Sequence, residues 1–371
     1  MNKIACRFAI ALGYVAMPFA SAAPAGYTLA PLAPLEVPSR FTHINSAGVI
    51  AGYTAGESVL RYPDGTLTIL PRLNDRQPAI TALGNDHSVG LMYTDPGNPD
   101  RILQGAIWRN GVVENLPSLR TIPDGRGYSV IASINNTGAM SGSSATDNQF
   151  FDEYGQPVPI PHAISYTNGQ LQDLGTLGGT WSAGRAINNL GHIVGVSGTA
   201  DDGRQSFIYR DGTMQALSLD PIFSAFAIND AGQVLANSNN GQEAVIWENG
   251  QLTSLTKEGY RYPVAAALNN HGDVVGRMWR EGGFRPEGFI YSEGELTLLT
   301  SLIDEPGWTI SEVQDINDAG TIVALGCFSV AFECTYVQLT PVPEPSTTAM
   351  MTLGIATTML AVRRARRVAK R

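Results

Sequence analysis

A short pattern of apolar and polar residues recurs along most of the chain and predicts a repeated β-hairpin. Its copies read Ile-Asn-x-x-Gly, as in Ile187–Gly191, with small or β-branched residues on both sides. The asparagine side chain can bond the backbone two residues on, and glycine supplies the positive φ that closes a tight turn. Each copy therefore predicts two short strands joined by a turn. The complete copies begin at Ile44, Ile134, Ile187, Ile228, Leu268 and Ile316, and a degraded copy begins at Leu83.

A second pattern alternates with the first and predicts another hairpin. In each copy an aromatic residue lies three positions before a glycine, and in most copies asparagine or aspartate precedes that glycine. An Asn-Gly or Asp-Gly pair between apolar residues is the strongest short signal for a hairpin. Two apolar residues three apart then follow, as Leu171 and Leu174 do. The constant phase of the aromatics favours packing between repeats over a sugar-stacking rim. These aromatics are Tyr62, Trp108, Tyr166, Tyr209, Trp247 and Tyr291.

The spacing of the asparagine motif predicts an all-β fold, a seven-bladed β-propeller. Successive copies are 39 to 53 residues apart, close to the length of a four-stranded propeller blade. Seven asparagine turns accompany only six aromatic hairpins, and the segment Tyr27–Leu32 fits the missing outer strand because Leu29 and Leu32 repeat the spacing of three. An N-terminal strand that completes the last blade would close the ring and cover two sheet edges. An open β-solenoid is the alternative, but it calls for capping ends and not for a split repeat.

The first 22 residues have the order of a secretory signal peptide. Lys3 and Arg7 precede an apolar stretch, and Ala20 and Ala22 place small residues where signal peptidase reads them. The stretch is short for a bilayer span, and an uncleaved anchor is the alternative. We expect cleavage by signal peptidase and export of the propeller domain, residues 23–340.

Residues 341–371 combine a proline motif, an uncharged apolar run and a basic end. The motif is Val342-Pro343-Glu344-Pro345, and the run extends from Ala349 to Val362. A basic end resists translocation, and the run is short for a permanent anchor. The basic residues that we expect to hold the tail in place include Arg363, Arg364, Arg366 and Arg367.

This order of motif, apolar run and basic cluster resembles the PEP-CTERM sorting signal of Gram-negative bacteria. The resemblance implies a C-terminal helix that enters the inner membrane transiently, and an exosortase-type enzyme that removes it. It also implies delivery to the cell surface or the extracellular matrix. An ordinary C-terminal anchor is the alternative, but it gives no reason for the Pro-Glu-Pro.

The body also resembles HAF repeats, a family of extracellular repeats, most closely over residues 162–196. The resemblance implies a surface repeat protein and carries no catalytic residues to transfer. The matching strings are His162-Ala163-Ile164, Asp173-Leu174-Gly175-Thr176-Leu177-Gly178-Gly179 and Ala186-Ile187-Asn188.

Composition and charge narrow the functional classes. With 40 glycines and 22 prolines in 371 residues, long helices are disfavoured. The first 22 residues hold two of the 24 cations, and residues 343–371 hold six cations and one of the 33 acids, which leaves a body with a net charge of −16. This negative charge argues against nucleic acid or an anionic membrane surface as a partner, because both would repel it.

The chemistry-bearing residues predict no catalytic site, no metal site and no cofactor. The five histidines (His43, His87, His162, His192 and His271) fall at different phases of the repeat and lack metal-ligand spacing. Most carboxylates stand in turns, and the clusters at Asp201–Gly203 and Asp95–Asp100 lack the periodicity of a calcium loop. Cys327 and Cys334, with six residues between them in an exported chain, predict a disulfide.

These observations favour a surface or matrix protein with a binding or structural role toward polysaccharide or another surface protein. The alternative is a secreted propeller hydrolase or lyase that acts on polysaccharide. Such an enzyme needs acids from several blades that converge at the mouth of the channel, and the sequence shows no departures from the repeat that would bring them together.

Overall fold

The structure is a computed structural model that describes residues 26–34, 37–72, 77–95, 98–121, 127–328 and 333–342. Residues 95 and 98–103 are described by their backbone alone. Ala20 and Ala22 of the predicted cleavage site lie outside the described residues, as do the tail residues beyond Val342, including the predicted sorting helix.

The described residues form seven four-stranded antiparallel sheets, the blades of a β-propeller. The first strand, β1 (Tyr27–Pro31), belongs to the last blade. Blades 1 to 3 consist of β2 (Ser39–Ile44), β3 (Ile50–Thr54), β4 (Glu57–Arg61) and β5 (Leu67–Ile69); β6 (Ala79–Leu83), β7 (Val89–Asp95), β8 (Asn98–Arg109) and β9 (Val112–Asn115); and β10 (Ser129–Ile134), β11 (Met140–Phe151), β12 (Pro157–Thr167) and β13 (Gln170–Asp173).

The remaining blades repeat this order of strands. Blades 4 to 6 consist of β14 (Gly178–Ile187), β15 (Ile193–Thr199), β16 (Arg204–Arg210) and β17 (Thr213–Ala216); β18 (Phe223–Ile228), β19 (Val234–Ser238), β20 (Ala244–Glu248) and β21 (Gln251–Ser254); and β22 (Tyr260–Leu268), β23 (Val274–Arg280), β24 (Pro286–Ser292) and β25 (Glu295–Leu298). A 3₁₀-helix, Leu299–Leu302, then leads to blade 7, with β26 (Trp308–Ile316), β27 (Ile322–Phe328) and β28 (Glu333–Pro341).

The N-terminal strand closes the ring, as the split repeat predicts. β1 pairs antiparallel with β28 from Tyr27 opposite Pro341 to Pro31 opposite Val337, and it becomes the outer strand of blade 7. The first strands of successive blades contact one another around the ring, and β26 contacts β2 across the closure. The prediction of an all-β, seven-bladed propeller with an N-terminal closing strand is therefore confirmed.

The core consists of seven apolar clusters, each between two neighbouring blades. The cluster between blades 4 and 5, for example, joins Val194 and Ile208 to Phe223 and Val234. The cluster between blades 7 and 1 joins Val323 and Tyr336 to Phe41 and Ile50, so the closure is packed like the other junctions. Each blade is a sheet with two broad faces, and it buries one face against the preceding blade and the other against the following blade. A single blade would expose both faces and would not be stable alone.

The small residues on the second strand of each blade, shortly after the asparagine turn, are explained by a β-bulge in the first strand and by the close approach of the two strands there. The first strand of each blade has a register shift, as between Ile131 and Ser133 in β10. Gly142 on β11 pairs with Ile131, and a Cβ atom at Gly142 would lie 1.9 Å from the Val130 carbonyl oxygen. The bulged strand thus approaches its neighbour too closely for any side chain at that position.

The aromatic residues of the second pattern pack between blades, as predicted, but not all in one phase. Five of them lie opposite the first residue of the second strand of their blade and contact the cluster shared with the preceding blade: Trp108, Tyr166, Tyr209, Trp247 and Tyr291. Tyr62 is the exception, because β4 ends at Arg61 and the hairpin there is longer. Its ring packs instead on His87 of the following blade, 5.7 Å between centroids.

Candidate functional site

The propeller has two different ends. The turns between the first and second strands of each blade, such as 188–192 and 229–233, lie at one end, which we call the Asn face. The hairpins between the second and third strands, such as 199–204 and 238–244, lie at the other end with the connections between blades. We call this end the loop face.

The asparagine of each complete turn motif is buried and bonds in two directions. Within its own turn, the Asn188 Oδ1 accepts hydrogen bonds from the backbone N–H groups of Leu190 (3.1 Å) and His192 (2.9 Å). Toward the next blade, its Nδ2 donates to the carbonyl oxygen of Asn229 at 3.0 Å. The same blade-to-blade bond is made by Asn45, Asn135, Asn229, Asn269 and Asn317, the last of which donates to Asn45.

A second set of hydrogen bonds between blades uses the next residue of the turn motif. Asn189 donates from its backbone N to Asp230 Oδ1 at 2.8 Å and from Nδ2 to Asp230 Oδ2 at 2.7 Å. Asn270 donates the same pair of hydrogen bonds, from its backbone N and its Nδ2, to the carboxylate of Asp318. The Nδ2 of Asn85 donates to the Oδ1 of Asn136. These side chains surround a cavity of about 160 Å³ whose other lining is the isoleucine or leucine of each turn motif.

The polar side chains of the Asn face therefore serve mainly to hold the blades together. Its polar side chains are engaged with each other, so a ligand there has to replace hydrogen bonds that already join the blades. The turn-forming role predicted for the asparagine is present. The blade-to-blade bond made by Nδ2 has no signal in a single repeat, because its acceptor belongs to the next blade: it lies 39 to 53 residues further along the chain for five of the six asparagines and 272 residues earlier for Asn317.

Two titratable groups with shifted pKa values lie at the junction between blades 7 and 1. The carboxylate of Asp315 accepts hydrogen bonds from the backbone N–H groups of Ile44 and Ile316, both at 2.9 Å. Burial nevertheless raises the pKa of Asp315 to about 7. Burial lowers the pKa of His43, on the neighbouring strand, to about 4. Desolvation penalises the charged form in both cases.

We predict opposite pH dependences for the two groups. Asp315 stabilises the fold most below pH 3.8 and loses that contribution as the pH rises toward 7, whereas His43 contributes fully above pH 6.5 and loses it as the pH falls toward 4. The two slopes oppose each other between these limits. Asp315→Asn should therefore become less stable by about 3 kcal/mol on acidification from pH 6.5 to 4, and His43→Gln should become less stable by about 4 kcal/mol from pH 4 to 7. Denaturant unfolding across pH measures this, with Glu258→Gln on the exposed loop face as the control, and parallel curves for all three variants would contradict it.

The loop face differs from blade to blade. In blade 3, β11 and β12 continue as a two-stranded arm beyond the last pair with β10, Ser129 opposite Ser144, as far as Phe151 opposite Pro157. Arg120 supports the base of this arm with bonds to the Thr146 carbonyl oxygen (2.9 Å) and Gln149 Oε1 (3.2 Å). The arm has no counterpart in the repeat pattern, and sequence reasoning did not predict it.

Two further features distinguish the loop face. In blade 7, Cys327 and Cys334 face each other across β27 and β28, and the structure joins them by a disulfide at the base of the hairpin. In blade 6, the hairpin between β23 and β24 projects Phe284, which is 99% exposed. Every exposed aromatic residue in the described part of the chain lies at this end, and these residues are Tyr53, Phe150, Phe151, Tyr154, Tyr262 and Phe284.

The other residues considered from the sequence lie apart from one another. His87, His192 and His271 stand in separate turns of the Asn face. His162 pairs with Asp173 in blade 3 at 2.9 Å, and this hydrogen bond raises its pKa. Within the described ranges, no group of three or more His, Cys, Asp or Glu side chains is arranged to hold a metal ion. No helix in this part of the chain has the length and apolar character needed to cross a bilayer.

Comparison with known proteins identifies the sorting motif of the tail. The PEP-CTERM protein-sorting motif matches residues 341–367, which confirms the resemblance seen in the tail. The motif indicates an exported protein that transits the membrane, is processed by an exosortase-type enzyme and is sorted to the surface. No curated protein matches the chain. The likeness of the body to HAF repeats stays a prediction.

The solved structures that are similar to this chain match it at low identity and with TM-scores below 0.5. A gluconolactonase from Xanthomonas campestris is 11% identical, with 85% of this chain and 89% of that chain covered and a TM-score of 0.42. YCF48 from Cyanidioschyzon merolae is 11% identical, with coverages of 84% and 99% and a TM-score of 0.49. A sialidase from Trypanosoma rangeli, solved with sialic acid, is 10% identical, with coverages of 88% and 61% and a TM-score of 0.38.

Proposed function

We propose that this protein is a surface-sorted propeller that binds an extracellular polymer through its loop face. The signal peptide, with cleavage after Ala22, and the sorting tail would deliver the ring, and the ring would present the loop face as a recognition surface. The role is binding and not catalysis, and the polymer is a polysaccharide or another surface protein.

The observation that carries this proposal is the distribution of exposed aromatic residues. All six that the structure describes lie at the loop face, together with the blade 3 arm and the disulfide hairpin. Binding proteins place recognition residues on variable loops of a rigid scaffold, and tyrosine and phenylalanine provide large contact areas at low entropic cost. The Asn face, by contrast, repeats the same bonded turn from blade to blade.

A binding screen with a variant on each face tests the proposal. The ring, residues 23–342, contains every strand of the seven sheets and can be used without the tail. It is tested against a panel of extracellular polysaccharides and surface proteins. A triple variant of the loop face (Phe150→Ser, Tyr154→Ser, Phe284→Ser) should lose most of the binding. The control is Leu190→Ser, which removes a large exposed apolar side chain from the Asn face and should leave binding unchanged.

Two results would contradict the proposal. Loss of binding in Leu190→Ser, with retention in the triple variant, would move the site to the Asn face. Release of new reducing ends or unsaturated products from a polysaccharide would instead identify the secreted hydrolase or lyase considered above.

A further inference from the structure

A cavity of about 390 Å³ opens at the loop face between blades 5 and 6. Its size falls within the range of about 300–1,000 Å³ that is usual for small-ligand sites. The hairpin of blade 5 contributes Gln242 and Glu243, and the start of blade 6 contributes Arg261 and Tyr262. Lys257, on the connection between the two blades, completes the polar lining.

Tyr262 holds a conformation that bulky residues rarely adopt. Its φ is +55°, and it is the only non-glycine residue with positive φ that lies inside a strand of the described structure; the others are in turns. The register of β22 shifts between Arg261 and Val264, so a bulge turns Tyr262 outward and leaves it 42% exposed. Backbone strain of this kind persists where the surrounding structure enforces it, and such positions cluster at binding sites.

The charges around the cavity differ from those of the rest of the body. Lys257 is the only lysine between Lys3 and Lys370, and its Nζ is held by the Leu296 carbonyl oxygen at 3.0 Å. The guanidinium carbon of Arg261 lies 5.0 Å from the centroid of the Tyr262 ring. Two cations and one carboxylate, Glu243, therefore line a cavity in a body whose net charge is −16.

The wall of the cavity is held rigid by bonds that leave these side chains available. Tyr260 donates to Glu287 Oε2 at 3.2 Å, and Arg280 pairs with the same carboxylate at 3.0 Å. The Glu281 backbone N–H also donates to the Gly259 carbonyl oxygen at 2.9 Å, which joins the Phe284 hairpin to the connection that carries Lys257. Preorganised side chains of this kind bind with a smaller entropic cost.

From this arrangement we infer that the cavity binds a sugar unit that carries a carboxylate, such as a uronic acid residue within a polysaccharide. The apolar face of the sugar ring packs on Tyr262. Its carboxylate pairs with the planar guanidinium of Arg261 and with Lys257. Glu243 and Gln242 bond the hydroxyl groups. This inference rests on the proposed binding function and adds the chemical class of the polymer.

The test compares oligogalacturonate with the same oligomer in fully methyl-esterified form, since esterification removes the charge and keeps the sugar. Isothermal titration on the ring, residues 23–342, should show binding of the acidic oligomer and an affinity for the ester lower by about tenfold or more. Arg261→Gln should weaken binding of the acidic oligomer by about 10- to 100-fold and leave binding of the ester unchanged.

Tyr262→Gly separates a ligand platform from a structural tyrosine. Glycine accepts a φ of +55° without strain, so Tm should be unchanged or higher while binding is lost. Asn249→Gly, which changes a residue with a similar φ of +49° in the turn between β20 and β21 at the Asn face, is the matched control and should bind like the wild type. A lower Tm for Tyr262→Gly with unchanged binding would overturn the inference.

The outcomes distinguish this inference from the proposed function. Equal affinity for the acid and the ester overturns the uronic acid assignment. Binding of a different polymer in the screen, insensitive to Arg261→Gln and Tyr262→Gly, overturns the inference and leaves the proposed function standing. Absence of binding across the whole screen overturns both.

Discussion

Deletion of residues 23–35 is expected to destabilise the protein by about 5 kcal/mol or more, a large part of the stability of a typical domain. The deleted strand contributes Tyr27, 3% exposed, to the cluster between blades 6 and 7, and it leads to Leu32, 7% exposed, in the cluster between blades 7 and 1. It also pairs with β28 from Val337 to Pro341, and the Leu32 N–H donates to the Tyr336 carbonyl oxygen at 2.9 Å. Its loss opens two cores and one sheet edge at once.

Thermal unfolding of the deleted and complete rings measures this effect. The control shortens the blade 3 arm by replacing residues 150–158 with a two-residue Asn-Gly turn, which removes chain that lies outside any cluster between blades. The shortened arm should change Tm by only a few degrees. An unchanged Tm after the N-terminal deletion would show that the ring does not depend on its closing strand.

The fold could be predicted from the sequence because its determinants are local and repeated. A turn that needs Asn45 and Gly48, or Asn188 and Gly191, is specified within five residues. Its recurrence gives the number of blades without any knowledge of contacts. Closure followed from one non-local comparison, the spacing of Leu29 and Leu32 against the outer strands of the other blades.

The parts that could not be predicted depend on contacts between blades or on small irregularities. The phase of Tyr62 differs because its hairpin is longer, although the sequence spacing from aromatic to glycine is the same as in the other copies. The shifted pKa of Asp315 follows from its burial at the closure, and nothing in the residues around it indicates that burial. Tyr262 carries no motif, and only its φ within a strand marks it.

The exit point of the sorting tail is defined by the last strand. β28 runs from the loop face to the Asn face, and its end at Pro341 lies against the turn of blade 7, where a Cβ atom on Gly320 would be 3.1 Å from the proline ring. The Val342 N–H donates to the Gly26 carbonyl oxygen at 2.9 Å, so both ends of the ring leave it at the Asn face. While the tail is held in the membrane, the loop face is therefore the end of the ring further from the point of attachment.

Replacement of Pro343, Glu344 and Pro345 by alanine is expected to trap the full-length protein in the inner membrane. Val342, the first residue of the motif, makes the last described hydrogen bond of the ring, and the six residues 343–348 span at most about 20 Å, so we expect the processing enzyme to act close to the folded body. The variant keeps the apolar run and the basic end, which still stop transfer, but it lacks the sequence to be processed. The ring should fold normally, because every strand of the seven sheets ends by Pro341.

A variant with neutral residues at Arg363, Arg364, Arg366 and Arg367 should also be processed less, but for a different reason. Without these cations the tail loses the barrier that keeps its end on the cytoplasmic side, so it should slip across the membrane and be processed less. Mass spectrometry of C-terminal peptides from inner-membrane and surface fractions distinguishes the two variants, and circular dichroism of both confirms that the ring is intact. The alanine variant should leave Arg371 in the membrane fraction, and the wild type should show no Arg371 at the surface. Surface-released wild-type protein that still carries Arg371 would mean that the tail is an ordinary anchor and is not removed for sorting.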